Sequence, residues 1–333
     1  MIFHVVTGRT IARLLDEDLP GCVDLVRRAY LAHAHGLTAM PHSVFLRFPT
    51  RPNARIIGLP AHLGPPWRVS GMKWISSYPD NVSRGLARAS AVLILNDDES
   101  GYPIACLEGS ILSAARTAAS AALAAEQLVP GGRHARTLAV VGTGLIARYV
   151  LRFLLGTGWT LGNVRAYDLD PLAARRFASR LGGGQAPVEV MPDLASALRG
   201  ADLVLLTTVA PVPHIRDPQL LAHRPVVLHL SLRDLAPELI LSACNVVDDV
   251  DHVMRAETSV HLAEKQVGSR SFVAGTLADV LEGRCAVDHG KAVVFSPFGL
   301  GVLDVAVGKW LYDRALAAGE AVPVPDFFAP LDS

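Results

Sequence analysis

A glycine-rich turn between a strand pattern and a helix pattern constrains the fold of this chain most. The apolar run from Leu138 to Val141 is typical of a buried parallel strand, and Gly142 and Gly144 supply a tight turn after it. Ala147 is the small residue that lets the following helix lie close to the strand. Free N–H groups and the helix dipole favour negative charge at such a turn. The pattern predicts a dinucleotide site, and the alternative is a turn in an α/β domain that binds no ligand.

An acidic residue follows the next apolar strand at the spacing that this interpretation requires. Asp168 ends the run that starts at Val164, where a carboxylate accepts hydrogen bonds from the adenosine ribose hydroxyls. A carboxylate there repels a 2′-phosphate, so the sequence favours NAD over NADP. Arg175 and Arg176 would weaken that preference, although the exposed face of the next helix is their preferred position.

The size and charge of the chain restrict its class. With 333 residues, half of them hydrophobic, it is long enough for two domains with substantial cores. Its 31 basic and 31 acidic residues balance, which gives no reason to expect a nucleic acid or a charged membrane surface as partner. No apolar run reaches transmembrane length, and the N-terminal residues do not resemble a signal peptide.

The cysteine and histidine positions argue against a metal or disulfide framework. Four scattered cysteines without a C-x-x-C spacing are typical of reduced thiols, which predicts a cytoplasmic protein. His252 stands among several aspartates, but such a loop is more often a hydrogen-bonded turn, so no metal site is predicted. His229 on an apolar strand is interpreted as a hydrogen-bonded core histidine.

The order of predicted elements indicates two domains. From residue 137 onward strands alternate with helices, which predicts an α/β fold with a doubly wound parallel sheet, a Rossmann domain. The N-terminal region has two helices in 9–35, strand-like runs between 44 and 107 and an alanine-rich helix at 110–128, which predicts an α+β domain. The expected borders are 1–129 with 305–333 for the α+β domain and 130–304 for the Rossmann domain, with the active site expected in the cleft between them.

Residues at the carboxyl ends of the later strands complete the predicted dinucleotide site, because open α/β sheets bind ligands at that edge. The expected cofactor-binding residues are Gly142, Thr143, Gly144, Leu145, Ile146, Asp168, Thr207, Thr208, Ser231 and Leu232.

Two cations stand out in the N-terminal region. Lys73 lies within an apolar strand, where a desolvated lysine has a lowered pKa and acts as acid or base; the alternative is a side chain that points to solvent. Arg116 is the one charge in a run of small residues, where a buried guanidinium requires an anionic partner. A substrate carboxylate provides a bidentate partner, and the alternative is a structural pair with Glu108 or Asp97.

Several blocks resemble the ornithine cyclodeaminase/μ-crystallin family, in the family's order over about residues 38–315. They include Gly71–Lys73 with Tyr78-Pro-x-Asn81, Arg116-Thr-Ala-Ala-Ser, Val141-Gly-Thr-Gly144 and Phe298-Gly299-x-Gly-x-x-x-Asp304. The resemblance implies a nicotinamide cofactor and an N-terminal domain that holds an amino-acid substrate and forms a homodimer. It implies that Lys73 is the catalytic lysine near the reacting imine. Arg116 and an earlier strand arginine, Arg47 or alternatively Arg55, then bind carboxylate.

Asp304 belongs to the same resemblance. It is expected in the helix after Phe298-Gly299 and facing the cleft as a catalytic residue, and the alternative is a helix cap or an interdomain pair.

One stretch departs from the ornithine cyclodeaminases, which carry a catalytic aspartate after the fifth Rossmann strand. Here Asp234 is offset from that position and Arg233 is new. The stretch resembles a subgroup, the 2,3-diaminopropionate biosynthesis dehydrogenases of siderophore and peptide-antibiotic clusters. This implies NAD-dependent oxidation and hydrolysis of N-(1-amino-1-carboxy-2-ethyl)-glutamate, with Arg233 as a further cation for a substrate with three carboxylates. The alternatives are an ornithine cyclodeaminase, an alanine-type dehydrogenase, a ketimine reductase, or a non-catalytic NAD(P)-binding protein.

Overall fold

The chain forms two compact units in the computed structural model, which describes residues 2–181 and 186–329. Unit 1 comprises the described residues up to Arg116 and those from Leu300 onward, and unit 2 runs from Thr117 to Gly299. The first border falls within one long helix. The domain borders expected at 129/130 and 304/305 stay a prediction.

The helices and strands of the described residues have the following bounds. The helices are α1 (Gly8–Glu17), α2 (Leu19–Ala34), α3 (Gly109–Leu128), α4 (Leu145–Gly156), α5 (Pro171–Leu181), α6 (Leu194–Leu198), α7 (Pro237–Ser242), α8 (Val250–Val253), α9 (Ser259–Val267), α10 (Leu277–Leu281) and α11 (Gly301–Ala317), with 3₁₀ helices at Pro79–Arg84 and Pro218–Leu221. The strands are β1 (Phe3–Val6), β2 (Thr38–Ala39), β3 (Val44–Phe48), β4 (Arg51–Leu63), β5 (Val69–Ser77), β6 (Ala89–Asp97), β7 (Pro103–Glu108), β8 (His134–Val141), β9 (Thr160–Tyr167), β10 (Val188–Val190), β11 (Leu203–Leu206), β12 (Val226–His229), β13 (Cys244–Val247), β14 (Val273–Thr276), β15 (Val293–Ser296) and β16 (Val322–Val324).

Unit 1 is built on a mixed sheet in the order β16-β1-β7-β6-β5-β4-β2, with β3 on β4. Helix α11 packs on the middle strands, and the first half of the helix is buried. Gly308 allows this close approach, since a Cβ at that position would lie 2.0 Å from the Leu93 side chain on β6. The packing fixes which residues of α11 meet the sheet.

Strand β5 sends alternate side chains to opposite faces, as the pleat requires. Gly71 and Lys73 lie on the buried face, whereas Met72 and Trp74 are exposed on the other. The strand therefore carries a lysine towards the interior of the unit, and the alternative of a solvent-exposed Lys73 is wrong.

Unit 2 is built on a parallel sheet in the order β10-β9-β8-β11-β12-β15-β13-β14. The chain runs outward from β8 in one direction through β9 and β10 and in the other through β11 and β12, so β8 and β11 flank the point where the strand order reverses. Such a switch point leaves a crevice at the carboxyl ends of the strands. The predicted α/β fold with a doubly wound parallel sheet is confirmed.

Within the described residues, no helix has the length and apolar character needed to cross a membrane. The same residues contain no group of three or more His, Cys, Asp or Glu side chains placed to hold a metal ion. All four cysteines are free thiols.

Candidate active site

A buried carboxylate in unit 1 is shared by two cations. Asp304, in the first turn of α11, accepts a hydrogen bond from Lys73 Nζ on Oδ2 at 2.8 Å and one from Arg116 Nε on Oδ1 at 3.0 Å. Lys73 Nζ also donates to Ser113 Oγ at 3.1 Å. Asp304 is fully buried and Lys73 is 1% exposed. We call these three charged residues the Lys73–Asp304–Arg116 cluster.

Arg116 retains donors that are not used within the cluster. Its Nε is held by Asp304, and its two terminal nitrogens make no hydrogen bond to any residue that the structure describes. Neither Glu108 nor Asp97 is its partner, so those proposed pairs are wrong: Glu108 accepts from the Ser110 and Ile111 amides at the start of α3. The terminal nitrogens form the planar fork that suits a carboxylate.

Burial changes the acidity of Lys73. Desolvation and the neighbouring charge of Arg116 lower the pKa of the Lys73 ammonium from 10.5 to about 8, although the Asp304 carboxylate opposes the shift. A lysine with a pKa of about 8 is present in both protonation states near neutral pH, so it can take up or release a proton. The lowered pKa agrees with the expectation for a desolvated lysine, and the catalytic role of Lys73 stays a prediction.

The two candidate strand arginines lie side by side. Arg47 on β3 pairs with Arg55 on β4, and Arg55 pairs with Ser77 on β5. Directly paired residues share a sheet face, and Ser77 is four positions from Lys73, so this row is on the Lys73 face. Arg47 has no ion-pair partner among residues 2–181 and 186–329. Substrate binding by Arg47, or by Arg55, stays a prediction.

In unit 2 the turn after β8 requires glycine at its first position. Gly142 has φ +85°, and a Cβ there would lie 2.9 Å from the backbone of Thr207. Gly144 opens α4 without a side-chain cap, a Cβ on it would meet no atom within 4 Å, and the first turn of α4 carries no acidic residue. Open N–H groups in the first turn of α4 fit a dinucleotide pyrophosphate.

Asp168 lies beside this turn. Its Oδ2 accepts hydrogen bonds from the Thr143 N–H at 2.7 Å and the Thr143 hydroxyl at 2.8 Å. It also lines a cavity of about 230 Å³, together with Thr143, Gly144, Arg148, Ala173, Arg176, Phe177 and Arg180. The structure thus brings together Gly142, Thr143, Gly144 and Asp168 as the sequence predicts, while Arg176 pairs with Asp170 at 3.1 Å.

The carboxyl ends of β11 and β12 meet around a second buried carboxylate, Asp234. The hydroxyls of Thr208 and Ser231 donate to it, and so does His214 Nε2 at 3.2 Å. Burial raises the pKa of Asp234, but these donors and the nearby His229 outweigh that effect and hold the pKa below its usual value. Sequence reasoning identified Thr208 and Ser231 but missed His214 and the role of Asp234.

His229 and Arg233 make further hydrogen bonds near Asp234. His229 accepts from the Asp234 N–H at 3.2 Å and lies 3.1 Å from Ser296 Oγ, and burial lowers its pKa to about 4, so it is a neutral core histidine. Arg233 donates to the backbone carbonyls of Pro211 at 3.2 Å and Ala256 at 2.6 Å. These bonds engage Nη1 and Nη2, whereas the buried Nε has no hydrogen-bond partner among the described residues. A substrate role for Arg233 stays a prediction.

Comparison with known proteins identifies the family. The model of the ornithine cyclodeaminase/mu-crystallin family matches residues 15–319. The chain belongs to this family. The match covers nearly the whole chain, and the resemblance found in the sequence blocks is confirmed.

Two curated relatives span most of this family member. It is 30% identical to N-((2S)-2-amino-2-carboxyethyl)-L-glutamate dehydrogenase of Staphylococcus aureus over 88% of this chain and 89% of that protein. It is 26% identical to the alanine dehydrogenase of Archaeoglobus fulgidus over 94% of this chain and 95% of that protein. Both are amino-acid dehydrogenases, in agreement with the predicted enzyme class.

A solved structure shares the fold over the same extent. An archaeal alanine dehydrogenase, solved as a dimer with bound NAD, superimposes with a TM-score of 0.86 at 25% identity, covering 98% of this chain and all of that chain. That relative binds the cofactor that the turn after β8 predicts here.

Proposed function

We propose that this enzyme oxidises N-(1-amino-1-carboxy-2-ethyl)-glutamate with NAD and releases L-2,3-diaminopropionate and 2-oxoglutarate, as a step in siderophore or peptide-antibiotic biosynthesis. The observation that carries the proposal is an excess of cations on one side of the unit 1 sheet. Lys73 and Arg116 share the single carboxylate of Asp304, and Arg47 lies on the Lys73 face. A substrate with three carboxylates offsets that charge, and the Staphylococcus aureus relative supports this choice.

Arg116 is the anchor in this proposal. Its two terminal nitrogens take one substrate carboxylate in a bidentate pair while Asp304 holds its Nε. Because Asp304 fixes the guanidinium before substrate arrives, little side-chain entropy is lost on binding. Arg47 or Arg55 takes a second carboxylate farther along the sheet.

Lys73 moves the proton. Oxidation of a secondary amine breaks the bond from carbon to hydrogen at the glutamate α-carbon, forms a carbon–nitrogen double bond and leaves a proton on nitrogen. Neutral Lys73 accepts that proton, since burial places its pKa at about 8. Returned to nitrogen, the proton makes the carbon more electrophilic, so that water adds and the carbon–nitrogen bond breaks to yield an amine and a 2-oxo acid.

The dinucleotide is held by unit 2 in this proposal. A bound nicotinamide cofactor supplies the hydride acceptor. The Gly142–Gly144 turn and the amides of Leu145 and Ile146 would hold its pyrophosphate, and Asp168 would bind its adenosine ribose. The residues that would bound its nicotinamide end follow strands β11 and β12; they are Thr207, Thr208, Ser231 and Leu232. The Asp168 carboxylate favours NAD over NADP.

Unit 1 also carries a surface suited to self-association, and we propose a homodimer. The outward sheet face exposes Val44, Leu46, Met72, Trp74 and Val92, each more than a third exposed. Trp74 pairs directly with Val92, so the side chains form a contiguous patch. Large contiguous apolar patches mark interaction sites, and the archaeal alanine dehydrogenase relative is a dimer. The free thiols support the accompanying proposal of a cytoplasmic location.

Replacing Trp74 by glutamate tests the dimer. Because two buried carboxylates would then meet at the patch, we expect the Trp74→Glu protein to be a monomer by size-exclusion chromatography with light scattering. Leu316→Glu, at an exposed apolar position on α11, is the matched control and leaves the dimer intact. A monomeric wild-type protein would show the homodimer proposal to be wrong.

The reaction is tested by incubating the purified enzyme with NAD and synthetic N-(1-amino-1-carboxy-2-ethyl)-glutamate. We expect NADH, 2-oxoglutarate and 2,3-diaminopropionate in equal amounts by absorbance and mass spectrometry. Alanine yielding pyruvate and NADH, or ornithine yielding proline and ammonia without net NADH, would replace the proposal by the reaction of another family member. NAD binding without turnover of any of these substrates would favour a binding protein.

A further inference from the structure

Arg88 is a cation that neither the motif blocks nor the cluster accounts for. It precedes β6, and its backbone carbonyl accepts a hydrogen bond from the Tyr78 N–H at 2.8 Å. Its side chain is half-buried, and Nη1 donates to Ser77 Oγ at 2.9 Å. This bond brings the guanidinium to the end of β5.

The guanidinium of Arg88 has no anionic partner among residues 2–181 and 186–329. The Ser77 hydroxyl is its hydrogen-bond acceptor there, and no carboxylate of those residues lies within ion-pair distance. Burial lowers the pKa of Arg88, which is the direction expected for a desolvated charge without a counter-ion. Holding an uncompensated cation against a sheet is unfavourable unless an anion binds there.

The position of Ser77 places Arg88 in a row of arginines. Ser77 pairs with Arg55, and Arg55 pairs with Arg47, so the Arg88 side chain on Ser77 lies at the same end of the β3–β4–β5 surface as these two arginines. The row is four residues along β5 from Lys73, which corresponds to ~13 Å between α-carbons. An arginine side chain that leans along the strand direction covers part of such a distance.

We propose that Arg88 binds a substrate carboxylate that is remote from the reacting carbon. This contact selects substrates with several carboxylates. The inference rests on the proposed function and adds a specificity residue to it. Extended, the seven-bond chain between the outermost carboxylate carbons of the proposed substrate spans ~9 Å. A molecule of that length reaches from the Lys73–Asp304–Arg116 cluster to the arginine row, whereas alanine does not.

A purely structural role makes a different prediction. If Arg88 only anchored the segment 79–87 through Ser77, its removal would affect every substrate alike. A carboxylate contact instead couples Arg88 to one substrate group, so the effect disappears when that group is removed.

The test pairs Arg88→Gln with three substrate analogues, each having one carboxylate changed to a carboxamide. We expect Arg88→Gln to lower kcat/KM for the full substrate 10- to 100-fold. For the one analogue that lacks the carboxylate facing Arg88, we expect less than a threefold change. Arg84→Gln, in the 3₁₀ helix nearby, is the control and changes kcat/KM less than twofold. Equal losses with all three analogues would overturn the proposal.

A binding measurement separates failure of this inference from failure of the proposed reaction. Octanedioate, which has the same seven bonds between its carboxylate carbons as the proposed substrate, and its monoamide are titrated into the NAD-loaded enzyme by calorimetry, which requires no turnover. We expect wild type to prefer the diacid at least tenfold and Arg88→Gln to lose that preference. If wild type binds both equally, the inference is wrong even if the substrate is turned over. If Arg88→Gln does not fold, Arg88→Lys replaces it, with a partial loss of the preference expected because the planar fork is absent.

Discussion

Two buried carboxylates, Asp304 in unit 1 and Asp234 in unit 2, accept hydrogen bonds from different kinds of donor. Asp304 is shared by the cations Lys73 and Arg116, so its cluster carries net positive charge and unused donors on Arg116. Asp234 accepts from the hydroxyls of Thr208 and Ser231 and from His214, which leaves little capacity for a ligand. The comparison contrasts a cation-rich cluster, to which the proposed function assigns anion binding, with a carboxylate that accepts bonds from the ends of two strands.

The largest expected effect comes from replacing Lys73, the amine of the Lys73–Asp304–Arg116 cluster. Lys73→Met should lower kcat about 10²- to 10⁴-fold, because the proton on the substrate nitrogen loses its acceptor. Steady-state NADH formation measures the change. Lys309→Met, on the exposed side of α11, is the control and should stay within threefold of wild type. Undiminished NADH production by Lys73→Met would remove the cluster from the mechanism.

Asparagine at each of the two carboxylates compares their structural roles. Asp304→Asn leaves two buried cations uncompensated and should lower the free energy of unfolding by about 3–5 kcal/mol. Asp234→Asn weakens bonds from mostly neutral donors and should cost about 1–3 kcal/mol. Denaturant midpoints measure both.

Asp313→Asn provides the reference for that comparison. Asp313 pairs with Lys309 on the solvent side of α11, and such exposed pairs contribute about 0.3–0.5 kcal/mol. If Asp234→Asn lowers the free energy of unfolding more than Asp304→Asn does, Asp304 is not the carboxylate that compensates buried cations.

Removing the carboxylate anchor should act mainly on substrate recognition. Arg116→Gln eliminates a charge-assisted bidentate contact worth about 1.5–3 kcal/mol, so kcat/KM should fall about 10- to 100-fold. Initial rates at low substrate concentration measure it. Arg233→Gln compares unit 2 with unit 1. Because Arg233 already donates to two backbone carbonyls, we expect a smaller loss of kcat/KM than for Arg116→Gln.

The smallest expected effect is a shift in the pH dependence of kcat/KM, which distinguishes Asp304 from Asp234. Amine oxidation requires neutral Lys73, so kcat/KM should rise with pH through an apparent pKa of about 8. Because Asp304 raises the pKa of Lys73, Asp304→Asn should move the rising limb to lower pH. Asp234→Asn should leave its position unchanged. If the rising limb of the kcat/KM profile persists in Lys73→Met, it reports the titration of a group other than Lys73.

The sequence predicts the two sites to different extents. Gly142, Gly144 and Asp168 follow a local pattern in which strand, turn and helix are consecutive, so spacing alone indicates their proximity. Lys73 and Arg116 stand out as charges within apolar or small-residue runs. Asp304 joins them from α11 and was identified through the family resemblance, since no local pattern connects residues 188 or more positions apart.

The remaining features depend on contacts that local patterns do not encode. His214 reaches Asp234 only because β11 and β12 end side by side, and Arg88 joins the arginine row through the pairing of Ser77 with Arg55. The sequence analysis does not indicate the short strands β1, β14 and β16; β14 contains Gly275 and β16 contains Pro323, residue types that are uncommon inside strands. Pairing in the sheet, rather than propensity, stabilises them.

The account depends on an anion bound at Arg116, and a crystal structure of the enzyme with NAD and the substrate tests it most directly. We predict a substrate carboxylate within hydrogen-bond distance of both terminal nitrogens of Arg116, with the Lys73 amine near the substrate nitrogen. A substrate whose carboxylates contact neither residue would contradict the account.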